Sequence, residues 1–473
     1  MHETLAISAH YDMLDVPQIE ENPIPKGGKK CQIIIKTLAQ NLLLKICANL
    51  IDFLNKIIFS EDFLSHHRRS AKDFVRERRL PFHNMIFFLM NMIKGSLQDE
   101  LDYFFKAVHA EEVSARTVTK GAFIKARKKL HHGAFIELGR NLVSFFYDHF
   151  PCRKWKGFRI LAIDGSTIKV PRTEACADHF GVWNSGKGEA CPVTRISTLF
   201  DTQNGIVVDA LIRPKEQGER ALATEHLQHV GANDLILLDR GYPALWLFAL
   251  ILSKQAHFCA RVNSSWKEIR KFSNSGKKED IITLPLSFPS IEQCRLLNLP
   301  ISPMKVRAIR VELDSGETEI LLTSLMDKNL YPCEIFKELY HLRWTTEENY
   351  KTAKCRIEIE NFSGKSVESV YQDFHAKVFS MNLAAALTHP AQYIVTDQCE
   401  KKKYIYHVNI TQALSKLKDS LVLLFIRSNI MELLNKLFDL FIATTEPVRP
   451  GRKYPRKHGF QKRGFDVCYK PIR

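Results

Sequence analysis

The sequence has 11 cysteines but no Cys-x-x-Cys pair. The closest two, Cys176 and Cys191, are 15 positions apart, whereas cysteine-rich zinc sites use pairs about two to four residues apart. The first 20 residues also lack the basic start and apolar run of a secretory leader. We therefore expect free thiols in a reducing cytoplasm and no structural zinc.

Long uncharged apolar runs are missing as well. The most apolar stretches are residues 80–93, which are too few to cross a bilayer, and residues 421–442, which are interrupted by charged side chains at roughly helical spacing. A membrane span needs about 20 mostly uncharged residues. Both stretches are predicted to be packed amphipathic helices, so we expect a soluble chain without a membrane partner.

Acidic residues are the minority among the charges. The chain has 68 Lys and Arg against 52 Asp and Glu, a formal net charge of +16. Nine Lys or Arg and one Asp lie within residues 447–473. A polyanion is the natural partner of such a surface, and a merely solvating tail is the alternative. Charge alone does not separate DNA, RNA and an anionic membrane.

The 473 residues suggest two to four domains at about 100–200 residues each. Residues 1–30 are predicted to be a poorly ordered lead-in, since they contain prolines and a Gly-Gly pair and no sustained period. Residues 31–150 have a helical pattern and form the predicted DNA-binding region. Residues 389–473 are predicted to be a helical C-terminal region that ends in the basic tail.

One helix of the N-terminal region is a candidate for nucleic-acid contact. In residues 119–130 the helical period places Phe123 opposite Lys125, Lys128 and Lys129. Such a helix can lie on a duplex as a helix-turn-helix reader does. An ordinary surface helix has the same pattern, so both interpretations stay open.

Residues 151–388 alternate between strand and helix patterns. Strands are predicted at residues 158–170, 194–201 and 205–212, then at 234–238 and 257–262, with helices at 219–230 and 243–254. Three strands in meander order followed by helix, strand, helix and strand indicate an α/β fold with a mixed, ribonuclease H-like sheet. A β-rich insertion is predicted at about residues 263–327.

Two aspartates are predicted to lie just past apolar strands. Asp164 and Asp239 are followed by Gly165 and by Arg240-Gly241. In a mixed α/β sheet such positions open onto the crevice where ligands bind. The pair would suit magnesium, which prefers oxygen ligands, although each aspartate is also a common turn residue.

A predicted helix at residues 335–355 carries a polar stripe. At 100° per residue, Tyr340, Arg343, Glu347 and Lys354 lie within one 60° sector. Buried charges are costly when unpaired, so a catalytic surface is one interpretation. A solvated face with an Arg343–Glu347 pair is the other. The neighbouring Glu348 and Lys351 compete for the same roles.

These residues carry a resemblance to a known family. The spacing of Tyr340, Arg343, Glu347 and Lys354 resembles the Tyr-x2-Arg-x3-Glu-x6-Lys signature of the insertion-sequence-four family of DDE transposases. The segments around Asp164, Asp239 and Arg261 are similar to other segments of that family. The match covers roughly residues 73–388.

The resemblance implies a function and a site. It implies metal-dependent cleavage at terminal inverted repeats and strand transfer into target DNA, with Asp164, Asp239 and Glu347 holding two Mg²⁺ ions, for which Mn²⁺ may substitute. It also implies double-stranded DNA and a homodimeric synapse as partners, with a nucleoid-associated cytoplasmic location. The DNA-contacting residues would be Tyr340, Arg343, Lys354, Arg240 and Arg261, besides the three lysines of the N-terminal helix.

The chain departs from the family at one position. Relatives have a Trp there that helps to hold a flipped base, whereas this chain has Glu319, which cannot stack. Trp266 is a candidate substitute, and ordinary packing is the alternative role for that side chain.

Two other functions are considered. One is a catalytically silent, DNA-binding repressor, against which the intact acidic trio argues. The other is a ribonuclease H-fold nuclease, which has no need for an end-binding helical region. An RNA-binding structural protein is a weaker third possibility, because no aromatic RNA-reading motif is evident.

Overall fold

A computed structural model describes residues 29–76, 78–184, 190–313, 316–399 and 402–449. The lead-in predicted at residues 1–30 lies outside this part except for its last two residues, which begin a helix. The basic tail lies outside it from residue 450. The chain divides into two compact units, residues 1–42 and residues 43–473. In the first unit the structure describes the beginning of helix α1. Apart from the bounds of that helix, the following description concerns the second unit.

The N-terminal region is helical, as predicted. Its helices are α1 (Lys29–Ile58), α2 (Glu61–His67), α3 (Phe82–Met90), α4 (Leu97–His109), α5 (Lys120–Arg127) and α6 (Gly133–His149). Helix α3 is apolar nearly all round, and seven of its nine residues are buried, which is the behaviour expected of a helix without a polar face. The first apolar stretch is therefore a core helix.

Among the described residues, nine strands form one mixed sheet. They are β1 (Arg159–Lys169), β2 (Val182–Trp183), β3 (Cys191–Asp201), β4 (Ile206–Pro214), β5 (Asp234–Leu238), β6 (His257–Val262), β7 (Glu279–Leu284), β8 (Met304–Glu312) and β9 (Thr318–Thr323). Strand β3 runs antiparallel to β1 and β4, while β5 runs parallel to β1 and β6. This is the predicted ribonuclease H-like core, with strand order β4-β3-β1-β5-β6.

Helices follow or connect these strands. They are α7 (Glu174–Phe180), α8 (Glu219–His226), α9 (Leu245–Ser253), α10 (Lys267–Asn274), α11 (Phe288–Leu296), α12 (Phe336–His341), α13 (Trp344–Cys355), α14 (Val367–Gln398), α15 (Ile410–Ile426) and α16 (Ile430–Ala443). A two-stranded sheet is formed by β10 (Ile405–Val408), which precedes α15 in the sequence, and β11 (Thr445–Val448), which follows α16. None of the helices in the described part is both long and apolar enough to cross a bilayer.

The insertion differs from a separate β-rich subdomain. Its strands β9, β8 and β7 continue the central sheet beyond β6, all in antiparallel pairs, and it also contains helices α10 and α11. The sequence pattern located the strands but could not tell which sheet they join, because strand pairing depends on contacts distant in sequence. In the joined sheet, β9 is therefore the direct neighbour of β6.

The sheet separates two apolar clusters. Alternating residues such as Leu161 and Ile163 contact the larger cluster. Ala162 and Leu237 point the other way and pack with Tyr340 of helix α12. Because side chains alternate along a strand, Asp164 and Asp239 belong to the face that α12 covers.

Candidate active site

The two candidate aspartates lie side by side. Ile163 on β1 pairs with Leu238 on β5, and this is the last parallel pair between the strands. Asp164 and Asp239 each follow a member of that pair. The prediction that Asp164 lies beyond its strand is wrong, since β1 continues to Lys169 against β3. Asp164 instead lies where the neighbouring strand β5 ends, which opens the same crevice.

The two carboxylates have different electrostatic environments. Burial, together with the charges of Asp239 and Glu347, raises the pKa of Asp164 to about 6, although the Gly165 amide and Arg343 oppose the shift. Burial also acts to raise the pKa of Asp239, but the Arg240 amide, Arg343 and Arg261 outweigh it and hold that pKa below its usual value. Asp164 is therefore the less compensated carboxylate of the pair.

The predicted helix at residues 335–355 is two helices. Helix α12 ends at His341 and α13 begins at Trp344. The backbone amides of Leu342 and Arg343 bond to carbonyls three residues back, which tightens the turn to a 3₁₀-like geometry. The four signature residues consequently do not share one regular helix, and Arg343 lies at the junction.

Arg343 lies among the acidic side chains. Its Nη2 donates to Glu347 Oε1 at 3.1 Å, and its Nη1 is 4.0 Å from Asp164 Oδ2. The side chain is 2% exposed, and its guanidinium carbon is 5.8 Å from the Tyr340 ring centroid and 5.6 Å from that of Trp344. Arg343 therefore partly neutralises the three carboxylates. The polar stripe faces the aspartates, as expected for a catalytic surface, and it also contains the expected Arg343–Glu347 ion pair.

The other signature residues also face the strand ends. The Tyr340 hydroxyl donates to the Leu238 carbonyl at 3.3 Å and is 3.5 Å from Asp239 Oδ1. Lys354 Nζ donates to Ser166 Oγ at 2.6 Å and to the Thr167 carbonyl at 3.0 Å. The ammonium is thus anchored to strand β1 beyond Asp164.

The competing pair points elsewhere. Lys351 donates to Glu348 at 2.7 Å, and the two side chains are 65% and 71% exposed. They form an ion pair on the outer surface of α13. The structure therefore turns Glu347 toward Arg343, which also faces Asp164, and leaves Glu348 in solvent.

Arg261, a predicted DNA contact, is joined to Glu319 and to Asp239 by contacts that the sequence did not reveal. Leu238 pairs with Ala260 on β6, so Arg261 is adjacent to Asp239 in register. Its Nε and Nη2 lie 2.9 Å and 2.8 Å from Asp239 Oδ1, and its Nη1 donates to Glu319. Arg240 is more exposed, with Nη2 3.7 Å from Glu319 Oε1.

Tyr350 is a further residue that pattern reasoning missed. Its hydroxyl donates to the Asp164 carbonyl at 2.8 Å and accepts from Thr198 Oγ1 at 3.1 Å. Tyr350 is buried on the inner side of α13. Its spacing of three residues from Glu347 was the available signal, because residues three apart share a helix face.

The donor set fits a hard divalent cation. The trio offers carboxylate oxygens alone, which are the ligands that such a cation prefers, with side chains 22% exposed for Asp164 and 31% for both Asp239 and Glu347. The oxygen atoms of the trio are nevertheless more widely spaced than the ligands of one bound ion. Across the described ranges, the group whose three ligand atoms all lie within 4.8 Å of one another is a different one, formed by His131, His132 and Glu368.

That histidine group is satisfied by protein contacts. Glu368 Oε1 accepts from the His132 amide at 2.8 Å and lies 3.0 Å from His132 Nδ1, while its Oε2 pairs with Arg69 at 2.8 Å. The carboxylate is therefore already saturated and neutralised. It ties the start of α6 to the start of α14.

The lysine-bearing helix is shorter than predicted, and Thr119 is its N-cap residue. Thr119 Oγ1 accepts the Ala122 amide, and α5 ends at Arg127. Lys125 and Lys128 are exposed, whereas Lys129 pairs with Asp73 at 3.0 Å.

Trp266 lies away from the signature residues. It is partly buried against the larger apolar cluster and borders a cavity of about 310 Å³ together with Trp246 and Leu284. Ordinary packing therefore accounts for its position, and nothing in these contacts places it beside the aspartates.

Known proteins resemble the chain across this region. The family model described as Transposase DDE domain matches residues 155–383. The transposase InsG for insertion sequence element IS4, from Escherichia coli strain K12, is 23% identical over 320 residues, 65% of this chain and 70% of InsG. A piggyBac transposase synaptic complex with hairpin DNA aligns with 90% of this chain and 88% of that chain, at 10% identity and a TM-score of 0.41. The family model includes all three acidic residues, so residues 155–383 match a transposase DDE domain, and the chain is similar to the DDE transposases of the insertion-sequence-four family.

Proposed function

We propose that the chain catalyses cut-and-paste transposition, in which it cleaves DNA at terminal inverted repeats and joins the freed end to target DNA. The observation that carries the proposal is the grouping of Asp164, Asp239 and Glu347 around Arg343, at the point where β5 ends beside β1. These residues come from positions up to 183 apart in the sequence. Supporting contacts from the surrounding strands and from α12 and α13 hold them at one place.

Asp164, Asp239 and Glu347 would hold two magnesium ions, or manganese in their place. Bound there, such ions lower the pKa of an attacking water and stabilise the leaving oxygen. The carboxylates must be ionised to bind them. Arg343 would yield its contacts with Asp164 and Glu347 and turn toward a phosphate of the scissile strand, for which its planar guanidinium is suited.

Lys354 and Tyr340 would position the DNA. The Lys354 ammonium has a third donor site beyond its bonds to Ser166 and Thr167, so it can hold a flanking phosphate as a point charge. The Tyr340 hydroxyl, next to Asp239, would orient that carboxylate or donate to the backbone of the DNA. Arg240 and Arg261 are the other proposed contacts in this region.

Double-stranded DNA is the proposed partner, at both the element ends and the target. The exposed Lys125 and Lys128 of α5 would contact phosphates away from the reaction centre. Two ends must be brought together, so we propose a homodimeric synapse. Action on chromosomal DNA places the protein in the cytoplasm with the nucleoid.

The test is Mg²⁺-dependent nicking of a labelled duplex that contains the inverted repeats bordering the gene. Glu347→Gln should abolish nicking and keep duplex binding, while the matched variant Glu348→Gln should retain both. Asp164→Ala and Asp239→Ala should behave as Glu347→Gln does. Nicking that survives in Glu347→Gln contradicts the proposal.

The unchanged chain decides between the functions. Binding of the repeats without nicking in Mg²⁺ or Mn²⁺ would identify the silent repressor instead. Nicking without any joined product would favour the nuclease. Joined products with target DNA are expected for a transposase.

A further inference from the structure

We propose that Glu319 is a positioning residue that sets how tightly Arg261 holds Asp239, and thereby how readily Asp239 accepts a divalent cation. The inference rests on the proposed function, because it assumes that Asp239 is a metal ligand. It assigns a role to a buried carboxylate on β9.

The sheet fixes Glu319 beside Arg261. Arg261 on β6 pairs with Leu321 on β9, and Glu319 is two residues before Leu321, so its side chain points to the same face. The two side chains are thus diagonal neighbours on adjacent strands. Their ion pair is largely shielded, with side-chain exposures of 19% for Arg261 and 9% for Glu319.

Arg261 divides its guanidinium between two carboxylates. Nε and Nη2 both contact Asp239 Oδ1, while Nη1 contacts Glu319. The Arg240 amide donates to the same Asp239 oxygen at 2.7 Å. Oδ1 is therefore surrounded by donors, and a cation that binds this oxygen must displace the Arg261 contacts.

Glu319 determines the cost of that displacement. When Arg261 leaves Asp239, Glu319 still neutralises it, so no buried cation is left without a partner. Without the Glu319 charge, Asp239 becomes the main anionic partner of Arg261, and the arginine competes more strongly with a metal ion. Glu319 therefore favours release of Asp239 through its ion pair with Arg261.

The experiment measures Mn²⁺ binding to the full chain without DNA, by electron paramagnetic resonance of the free ion. Glu319→Gln should weaken binding about five- to tenfold, and Arg261→Gln should tighten it. In the Arg261→Gln background, the additional Glu319→Gln change should have no effect, because the residue through which Glu319 acts is gone. Glu312→Gln, an exposed glutamate on neighbouring β8, should leave binding unchanged.

Two features separate positioning from other roles. If Glu319 attracted the cation directly through space, Glu319→Gln would weaken binding by the same factor in both backgrounds, which overturns the proposal. Glu319→Asp keeps the charge and should restore affinity to within about twofold. Circular dichroism verifies that each variant is folded, and the double variant, which removes both charges of the buried pair, should be folded even where the single change is not.

The outcomes also distinguish this inference from the proposed function. Mn²⁺ binding that Asp164→Asn abolishes but Glu319→Gln does not alter overturns the role of Glu319 and leaves the metal site standing. A chain that binds no Mn²⁺ at the acidic trio overturns both.

Discussion

The Arg127 guanidinium on α5 donates to Asp373 on α14 at 2.6 Å, and the two side chains are 6% and 4% exposed. Arg127 also donates to Gln372, to Ser363 and to the Ser369 carbonyl. The helix that presents Lys125 to solvent is thereby attached from its buried side to the longest helix of the catalytic region. The DNA-facing role proposed for α5 thus depends on a buried polar network.

Loss of this arginine should strongly destabilise the protein. Arg127→Met leaves Asp373 buried without its cationic partner, so we expect the free energy of unfolding to fall by about 3–5 kcal/mol. Urea unfolding followed by circular dichroism measures the change. Lys125→Met, on the exposed side of the same helix, should change stability by less than about 0.5 kcal/mol. Equal effects of the two variants would contradict a structural role for the network.

Lys354 should contribute to DNA binding. Lys354→Met removes an anchored ammonium from the site, so affinity for the repeat duplex should fall about tenfold at low salt. The slope of log affinity against log salt should decrease by about 1. Fluorescence anisotropy across a salt series gives both values. Lys351→Met, which removes an exposed lysine one turn away, serves as the comparison, and an identical loss there would rule out a special role for Lys354.

Tyr350 should support the position of Asp164. Tyr350→Phe removes a hydrogen bond to the Asp164 carbonyl, which keeps only the Ser197 hydroxyl as a side-chain donor, and removes the acceptor of the buried Thr198 hydroxyl, so stability should fall by about 1–3 kcal/mol. Nicking should slow because the backbone that carries Asp164 is less restrained, while duplex binding should persist. Thermal unfolding and single-turnover nicking test the two effects. Tyr393→Phe alters an exposed tyrosine and should change neither.

His375 should make stability depend on pH. Burial lowers the pKa of His375 to about 3, whereas the pKa of this side chain in the unfolded chain is about 6.5. The unfolded state therefore binds the extra proton between these values, so stability is complete above about pH 6.5 and declines as the pH falls toward 3. The loss at pH 5 should be about 2 kcal/mol.

Urea unfolding at pH 8 and pH 5 measures this contribution. His375→Gln cannot titrate, so its loss of stability over the same interval should be smaller by about that amount. His66→Gln, at an exposed position on α2, provides a control in which the wild-type pH dependence should persist. An unchanged pH dependence in His375→Gln would show that another group is responsible.

Local patterns were sufficient to locate the elements of the sheet. Strands β5 and β6 have the predicted bounds, because short apolar runs between turn residues encode strands locally. The adjacency of Asp164 and Asp239 followed from the parallel order of their strands. The helix break at Leu342 and Arg343 was not predicted, since this segment contains neither Gly nor Pro and its apolar period continues.

The sequence by itself determined the succession of strands and helices along the core, the spacing of the signature residues and the excess of positive charge, because these depend on neighbouring residues and composition. Only the tertiary structure decided that Glu347 rather than Glu348 joins the aspartates, that the insertion extends the central sheet, and that Arg261 lies between Asp239 and Glu319. Each of these depends on contacts between side chains from segments that are distant in the sequence. Pairing at such separations is set by the packing of the whole domain rather than by any local pattern.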